Sequence, residues 1–120
     1  MWAGRVLVVD DDPGFRGLAR ELLALRGYEV VAEAGTVVEA LAAAASVRPT
    51  AVLLDVHLPG QDGLTGAALL RVGSEPPPRV LLMSAEIDAV PAELVHQSGA
   101  VGFVRKVDLA LTDLAAYLSG

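Results

Sequence analysis

Four short apolar runs in this chain each end on residues able to do chemistry. Val6–Val9 leads into Asp10, Asp11 and Asp12, Ala51–Leu54 into Asp55, Val80–Met83 into Ser84, and Val101–Val104 into Arg105 and Lys106. Carboxylates gathered in a partly desolvated cleft repel one another, so Asp10, Asp11 and Asp55 make sense together chiefly around a hard cation. Oxygen ligands alone suit Mg²⁺, Mn²⁺ or Ca²⁺. A few protein ligands completed by water and a phosphate favour Mg²⁺, with Mn²⁺ as a substitute. Asp12 has a simpler use as a helix cap, a position where the macrodipole favours an acid. Asp55 taken alone is a solvated strand-end carboxylate, and only the other acids give it a role. Of nine basic residues eight are Arg and one is Lys106; an Arg-rich composition can leave one lysine by chance, or the site can require it.

These residues meet only if the runs align as strands of one sheet. Unbroken apolar runs of this length read as central parallel strands covered on both faces. A fifth run, Tyr28–Ala32, is interrupted by Glu29 and followed by Glu33, as suits a strand nearer an edge. Helical patterns lie between the runs. The first has Asp12 as N-cap, Pro13 at its first position, Phe15, Leu18, Ala19 and Leu22 on one face, and Gly27 as its stop. The second opens with Thr36 and Glu39 at capping-box spacing and ends at Arg48-Pro49. A third runs from about Gly63 to Val72, and a fourth from near Pro91 to Gly99. The fifth occupies the tail with Leu111, Leu114, Ala115 and Leu118 as its apolar face. Strand and helix alternating five times predict an α/β, doubly wound, five-stranded parallel sheet between two helix layers. Ligands of such sheets bind beyond the carboxyl ends of the strands, the rim where all the candidate residues fall.

With 120 residues, 53% of them hydrophobic, the chain fits one domain over 1–120 with a real core. No apolar run approaches the ~18 residues needed to span a bilayer, and the N-terminus lacks a signal-peptide pattern, so a soluble cytoplasmic protein without a membrane partner is expected. The absence of cysteine excludes disulfides and thiolate metal sites. A net charge of −6 argues against direct nucleic-acid binding, which needs a clustered basic face. Any DNA contact is expected from outside this chain.

Four blocks resemble the signature blocks of bacterial two-component response-regulator receiver domains. They are Val8-Val9-Asp10-Asp11-Asp12-Pro13, Leu53-Leu54-Asp55-Val56-His57-Leu58-Pro59-Gly60-Gln61-Asp62-Gly63, Met83-Ser84-Ala85 and Gly102-Phe103-Val104-Arg105-Lys106. The likeness spans essentially the whole chain. It implies the flavodoxin-like strand order 2-1-3-4-5 and a role for each matching residue. Asp55 is the implied phosphoacceptor, a carboxylate nucleophile that forms an acyl phosphate. Asp11 binds the metal directly and Asp10 mainly through water, with Asp55 and the His57 backbone carbonyl completing the protein share. Lys106 pairs with a phosphate oxygen as a compact point charge, which gives the sole lysine its reason. Ser84 hydrogen-bonds the phosphate, Ala85 leaves room for the phosphodonor, and Phe103 is the aromatic switch that follows Ser84 inward. Phe103 in an apolar strand is otherwise simply core.

The implied partners are a histidine kinase, a second copy meeting the surface of the fourth helix, fifth strand and fifth helix, and a DNA-binding output domain outside this chain. His57 serves through its carbonyl rather than as a base, while side chains at its position and at Glu86 tune dephosphorylation. His96 reads as a solvated helix-end residue, and Pro59, Gly60 and Gly63 shape the loop after Asp55. The chain departs from the family where Val107 replaces the proline that usually follows the lysine in a cis bond. A non-proline cis bond costs roughly 2.5–4 kcal/mol, so Lys106–Val107 is either trans or strained. An aspartyl phosphatase on a similar sheet needs a second acid two residues after the nucleophile, where His57 stands, so no enzyme beyond self-phosphorylation and self-dephosphorylation is expected. The alternative is a phosphorylation-independent interaction module of the same fold.

Overall fold

Successive side chains along an extended strand point to opposite faces, so a run apolar at every position can serve two cores at once. The computed structural model describes residues 1–85 and 90–119. In it, strands β1 (Gly4–Val9), β2 (Tyr28–Ala34), β3 (Ala51–Asp55), β4 (Arg79–Ser84) and β5 (Gly102–Arg105) form one parallel sheet in the order β2-β1-β3-β4-β5. Helices α1 (Pro13–Leu25), α2 (Val37–Val47), α3 (Gly63–Val72), α4 (Ala92–Ser98) and α5 (Leu114–Leu118) alternate with them. On one face Val6, Val8, Leu53, Leu81 and Met83 pack against Ala19 and Leu23 of α1 and Leu114 and Leu118 of α5. On the other, Leu7, Val9, Val52, Leu54 and Leu82 pack against Ala40 and Ala44 of α2, Ala67 and Leu70 of α3, and Val95 of α4. The α/β doubly wound sheet and its order are those expected.

The helix starts follow the capping chemistry written in the sequence. Asp12 accepts from the Gly14 N–H at 2.9 Å, and Asp62 from the Thr65 N–H at 2.8 Å. Thr36 Oγ1 accepts from the Glu39 N–H at 3.1 Å, while Glu39 reaches back to the Gly35 N–H at 2.8 Å, one residue earlier than a simple capping box. Gly27 and Gly99 close α1 and α4 with φ of 88° and 82°, a conformation that glycine adopts without strain.

Two expectations need correction at the C-terminal end. Val101–Val104 does not form a central strand: β5 is an edge, shifted one residue to Gly102–Arg105, with Gly102 and Phe103 only half-buried. A run of four apolar residues cannot by itself distinguish an edge packed on one side from a centre packed on two. The tail is not one continuous helix either. Lys106–Leu111 forms a 3₁₀ segment, Thr112 takes extended backbone, and α5 begins only at Leu114. Leu111 is therefore 87% exposed instead of sharing an apolar face with Leu114 and Leu118, and Ala115 is exposed as well. The Lys106–Val107 bond is trans; among the described residues Glu75–Pro76 is the one cis peptide.

Candidate functional site

Parallel strands place their carboxyl ends on one side of the sheet, and β1, β3, β4 and β5 there present Asp10, Asp55, Ser84 and Lys106. Asp10 is fully buried and Asp55 is 4% exposed, whereas Asp11 is exposed on the turn into α1. One carboxylate oxygen from each of Asp10, Asp11 and Asp55 lies within 4.8 Å of the others. Asp10 is fixed by its own backbone: its N–H donates to the Ala34 carbonyl at 2.9 Å, and its Oδ1 accepts from the Asp12 N–H at 2.9 Å. Asp55 Oδ1 accepts from the His57 N–H at 2.9 Å, so the turn after β3 aims the carboxylate.

Lys106 joins the acids from across the sheet. Its Nζ donates to Asp55 Oδ2 at 3.0 Å and lies 2.5 Å from Asp10 Oδ2. Burial, the largest single influence, pulls the Lys106 pKa down, but Asp10 and Asp55 together outweigh it and hold the ammonium above its usual range. It is therefore a cation at neutral pH. Asp10 Oδ2 is ion-paired with this ammonium. Two buried carboxylates and a third, exposed one gathered beside a single ammonium leave negative charge in excess, which fits a divalent cation with oxygen preference.

The turn that carries Asp55 is clamped from below. The Gly63 N–H donates to the Val56 carbonyl at 2.8 Å, and a Cβ on Gly63 would stand 2.3 Å from the Asp55 carbonyl oxygen and 2.7 Å from Val56 Cα. Only glycine lets α3 start this close to the Asp55 backbone. Gly60 supplies a φ of 87° in the intervening loop. The His57 side chain is exposed, and its amide is the part of the residue that contacts Asp55. Ser84 is fully buried at the end of β4, paired in register with Arg105. Phe103 is half-buried and packs against the core layer of α2, α3 and α4. Ala85 is exposed beside Ser84, and His96 is exposed in the last turn of α4. Glu86 lies outside the described residues.

Residues 6–118 match the family profile of the response regulator receiver domain. The chain belongs to the response regulator receiver family. This receiver is 38% identical over 113 residues to a protein-glutamate methylesterase/protein-glutamine glutaminase of Archaeoglobus fulgidus, covering 93% of the chain and 32% of that protein. It is 37% identical over 102 residues to the DNA-binding response regulator MtrA of Mycolicibacterium smegmatis, covering 85% of the chain and 43% of MtrA. The signal receiver domain of NarL from Mycobacterium tuberculosis superposes with a TM-score of 0.81 at 38% identity, over 92% of this chain and 90% of that one. The receiver thus spans less than half the length of the curated relatives it matches.

Two residues of the receiver's site were not assigned there from sequence. Phe15, read only as part of the apolar face of α1, lies with its ring centroid 4.4 Å from Lys106 Nζ. Arg16 donates from Nη1 to the Asp10 backbone carbonyl at 2.6 Å and from Nε to Glu33 Oε1 at 3.0 Å. Glu33 also pairs with Arg20 at 2.7 Å, and the hydrogen bond from Arg20 is the largest influence lowering its pKa; burial opposes it, and the hydrogen bond from Arg16 adds to the lowering. The positions of Phe15 and Arg16 in the first turn of α1, just after the acids, were the only sequence signal.

Proposed function

We propose that residues 1–120 act as one receiver unit of a cytoplasmic two-component system, in which a histidine kinase phosphorylates Asp55. An Asp55 oxygen forms the new P–O bond as the P–N bond to the kinase histidine breaks, and the histidine departs with the bonding pair and gains a proton. Asp10, Asp11, Asp55 and the His57 carbonyl would hold Mg²⁺ or Mn²⁺. The cation supplies charge neutralisation for the transferring phosphoryl oxygens. Lys106 adds a second positive charge beside Asp55, and Ser84 donates to the phosphoryl group once it is in place. Phe103 then turns inward, and the surface of α4, β5 and α5 changes shape. Moving a two-state switch from 1:99 to 99:1 requires about 5.5 kcal/mol of differential contact. The new dianion must supply it through Ser84 and Lys106.

One observation carries this reading: the buried Asp55 carboxylate stands 3.0 Å from the sole lysine and within 4.8 Å of two further carboxylates. A structural ion pair needs one acid, and three clustered acids, two of them paired with one lysine, fit a site built for a cation and an anionic group. The output is control of transcription through an attached or partner domain, by analogy with MtrA, and the receiver itself acts as a switch, not as an enzyme on other substrates. Dimerisation through the α4, β5 and α5 surface is the proposed route. Among the described residues no helix is long and apolar enough to cross a membrane. The test is intact mass after incubation with acetyl phosphate and Mg²⁺. A gain of one phosphoryl group, about 80 Da, absent in Asp55→Asn and in EDTA, is the expected result. No gain from either acetyl phosphate or a cognate kinase would instead favour a phosphorylation-independent interaction module.

A further inference from the structure

Among the described residues the Lys106 ammonium has three partners. Nζ lies 2.5 Å from Asp10 Oδ2, 3.0 Å from Asp55 Oδ2 and 4.4 Å from the centroid of the Phe15 ring. We propose that Phe15 is a positioning residue for phosphoryl transfer, its ring face holding the Lys106 ammonium at the site while Asp10 and Asp55 are engaged by other groups. The inference rests on the reading of Asp55 as phosphoryl acceptor.

Phe15 is the third residue of α1, so the helix that begins at the acidic turn also carries the ring. The ring is half-buried and packs against the core layer containing Val6, Val8 and Met83. The negative face of an aromatic ring attracts an ammonium within about 6 Å, and the attraction grows as water is excluded. Lys106 meets that condition, with only 15% of its side chain exposed.

The three partners differ in what competes for them. A divalent cation bound by the acids and a phosphoryl group on Asp55 both draw on the carboxylate oxygens that Lys106 contacts. Neither can take the ring. A ring face is also undemanding in direction: Nζ can swing from Asp10 toward a phosphoryl oxygen without breaking a hydrogen bond to Phe15, and all its N–H donors stay available to oxygen. Lysine has a flexible four-carbon stem that regains rotamer freedom once its carboxylate partners are occupied. The ring limits that freedom, so the charge is already in place when the phosphoryl group arrives. A residue that merely filled the core would be replaceable by any apolar side chain of similar volume.

Because Lys106 is the sole lysine, a protein grown with ¹³C-lysine gives one side-chain spectrum. In the metal-free wild type the Lys106 Hε resonances should be displaced upfield by the ring, and they should stay displaced when Mg²⁺ and beryllium fluoride are added. Phe15→Leu should abolish the displacement and Phe15→Tyr should retain it. With acetyl phosphate and Mg²⁺, Phe15→Leu should label Asp55 about three- to tenfold more slowly than wild type, and Phe15→Tyr within about twofold of it. If Phe15→Leu melts early, Phe15→Met supplies the folded variant without a ring face. A Lys106 signal with no ring displacement, or a folded ringless variant that labels at the wild-type rate, overturns the proposal. Failure of the wild type to label with either acetyl phosphate or a cognate kinase overturns the acceptor assignment and with it any role in transfer, while the ring displacement still reports whether the contact exists; the two failures are thus separable.

Discussion

At the scale of single residues, the site is a small balance of charge in which each member has a distinct cost of removal. Lys106 lies between two buried carboxylates, so Lys106→Met leaves Asp10 and Asp55 facing each other unpaired. In EDTA this variant should lose about 1–3 kcal/mol of unfolding free energy, less than for a fully buried pair because Lys106 keeps some exposure. Millimolar Mg²⁺ should restore part of that loss, and urea unfolding with and without the cation measures both. An equal loss in Mg²⁺ and EDTA would argue against cation binding between the acids. Asp11, exposed and outside the hydrogen-bonded framework, should behave differently: Asp11→Asn should weaken cation binding, read by titration calorimetry, with little change in stability.

Glu33, at the same scale, sets the pH response of the framework behind the acids. Its folded pKa lies below the ordinary 4.5 because Arg20 and Arg16 hold the charged form. A carboxyl depressed on folding contributes stability above its unfolded pKa and loses that contribution as the pH falls through the folded value. The wild type should therefore exceed Glu33→Gln in stability by at most about 1 kcal/mol at pH 7, the pair being partly exposed. The difference should fade as the pH drops below about 4.5. A gap that is constant with pH would assign Glu33 a packing role instead.

At the scale of elements, the junctions between strand and helix hold the chemistry in place. Gly63 is the sharpest case, since the atoms a Cβ would meet are backbone atoms of Asp55 and Val56 that cannot step aside. Gly63→Ala should cost about 1–3 kcal/mol and slow Asp55 labelling, because the start of α3 must back away from the turn it clamps. The C-terminal segment gives a second test. Leu111 projects into solvent while Leu118 is buried in the sheet's first core layer. Leu111→Ala should stay within about 0.5 kcal/mol of wild type, whereas Leu118→Ala should lose about 2–5 kcal/mol in thermal unfolding. Equal effects would restore the continuous helix that the sequence pattern predicts. That pattern misled because Leu111, Leu114, Ala115 and Leu118 fit a helical period whether or not the backbone between them is helical. The break after Leu111 falls at Thr112 and Asp113, residue types that favour the start of a new helix at Leu114.

For the molecule as a whole, the sheet was legible because its physics is local and repetitive. Apolar runs bounded by Asp12-Pro13, Thr36 and Gly27 state where strands end and helices begin, and five alternations leave few arrangements. The acids and Lys106 were legible because each follows a strand, and a parallel sheet brings strand ends together. What stayed hidden depends on contacts between segments distant in sequence. Phe15 meets Lys106 across 91 positions and Arg16 reaches Glu33 from another element; each looks ordinary until the fold is assembled.

The central claim is that this assembled site makes Asp55 a phosphoryl acceptor. Reductive trapping tests it most directly: the protein is treated with acetyl phosphate and Mg²⁺, the acyl phosphate is reduced with borohydride, and the peptides are mapped by mass spectrometry. The account predicts conversion of residue 55 alone to homoserine, dependent on both acetyl phosphate and the cation. Conversion at Asp10 or Asp11, or none at residue 55 in protein that has gained phosphoryl mass, would contradict it.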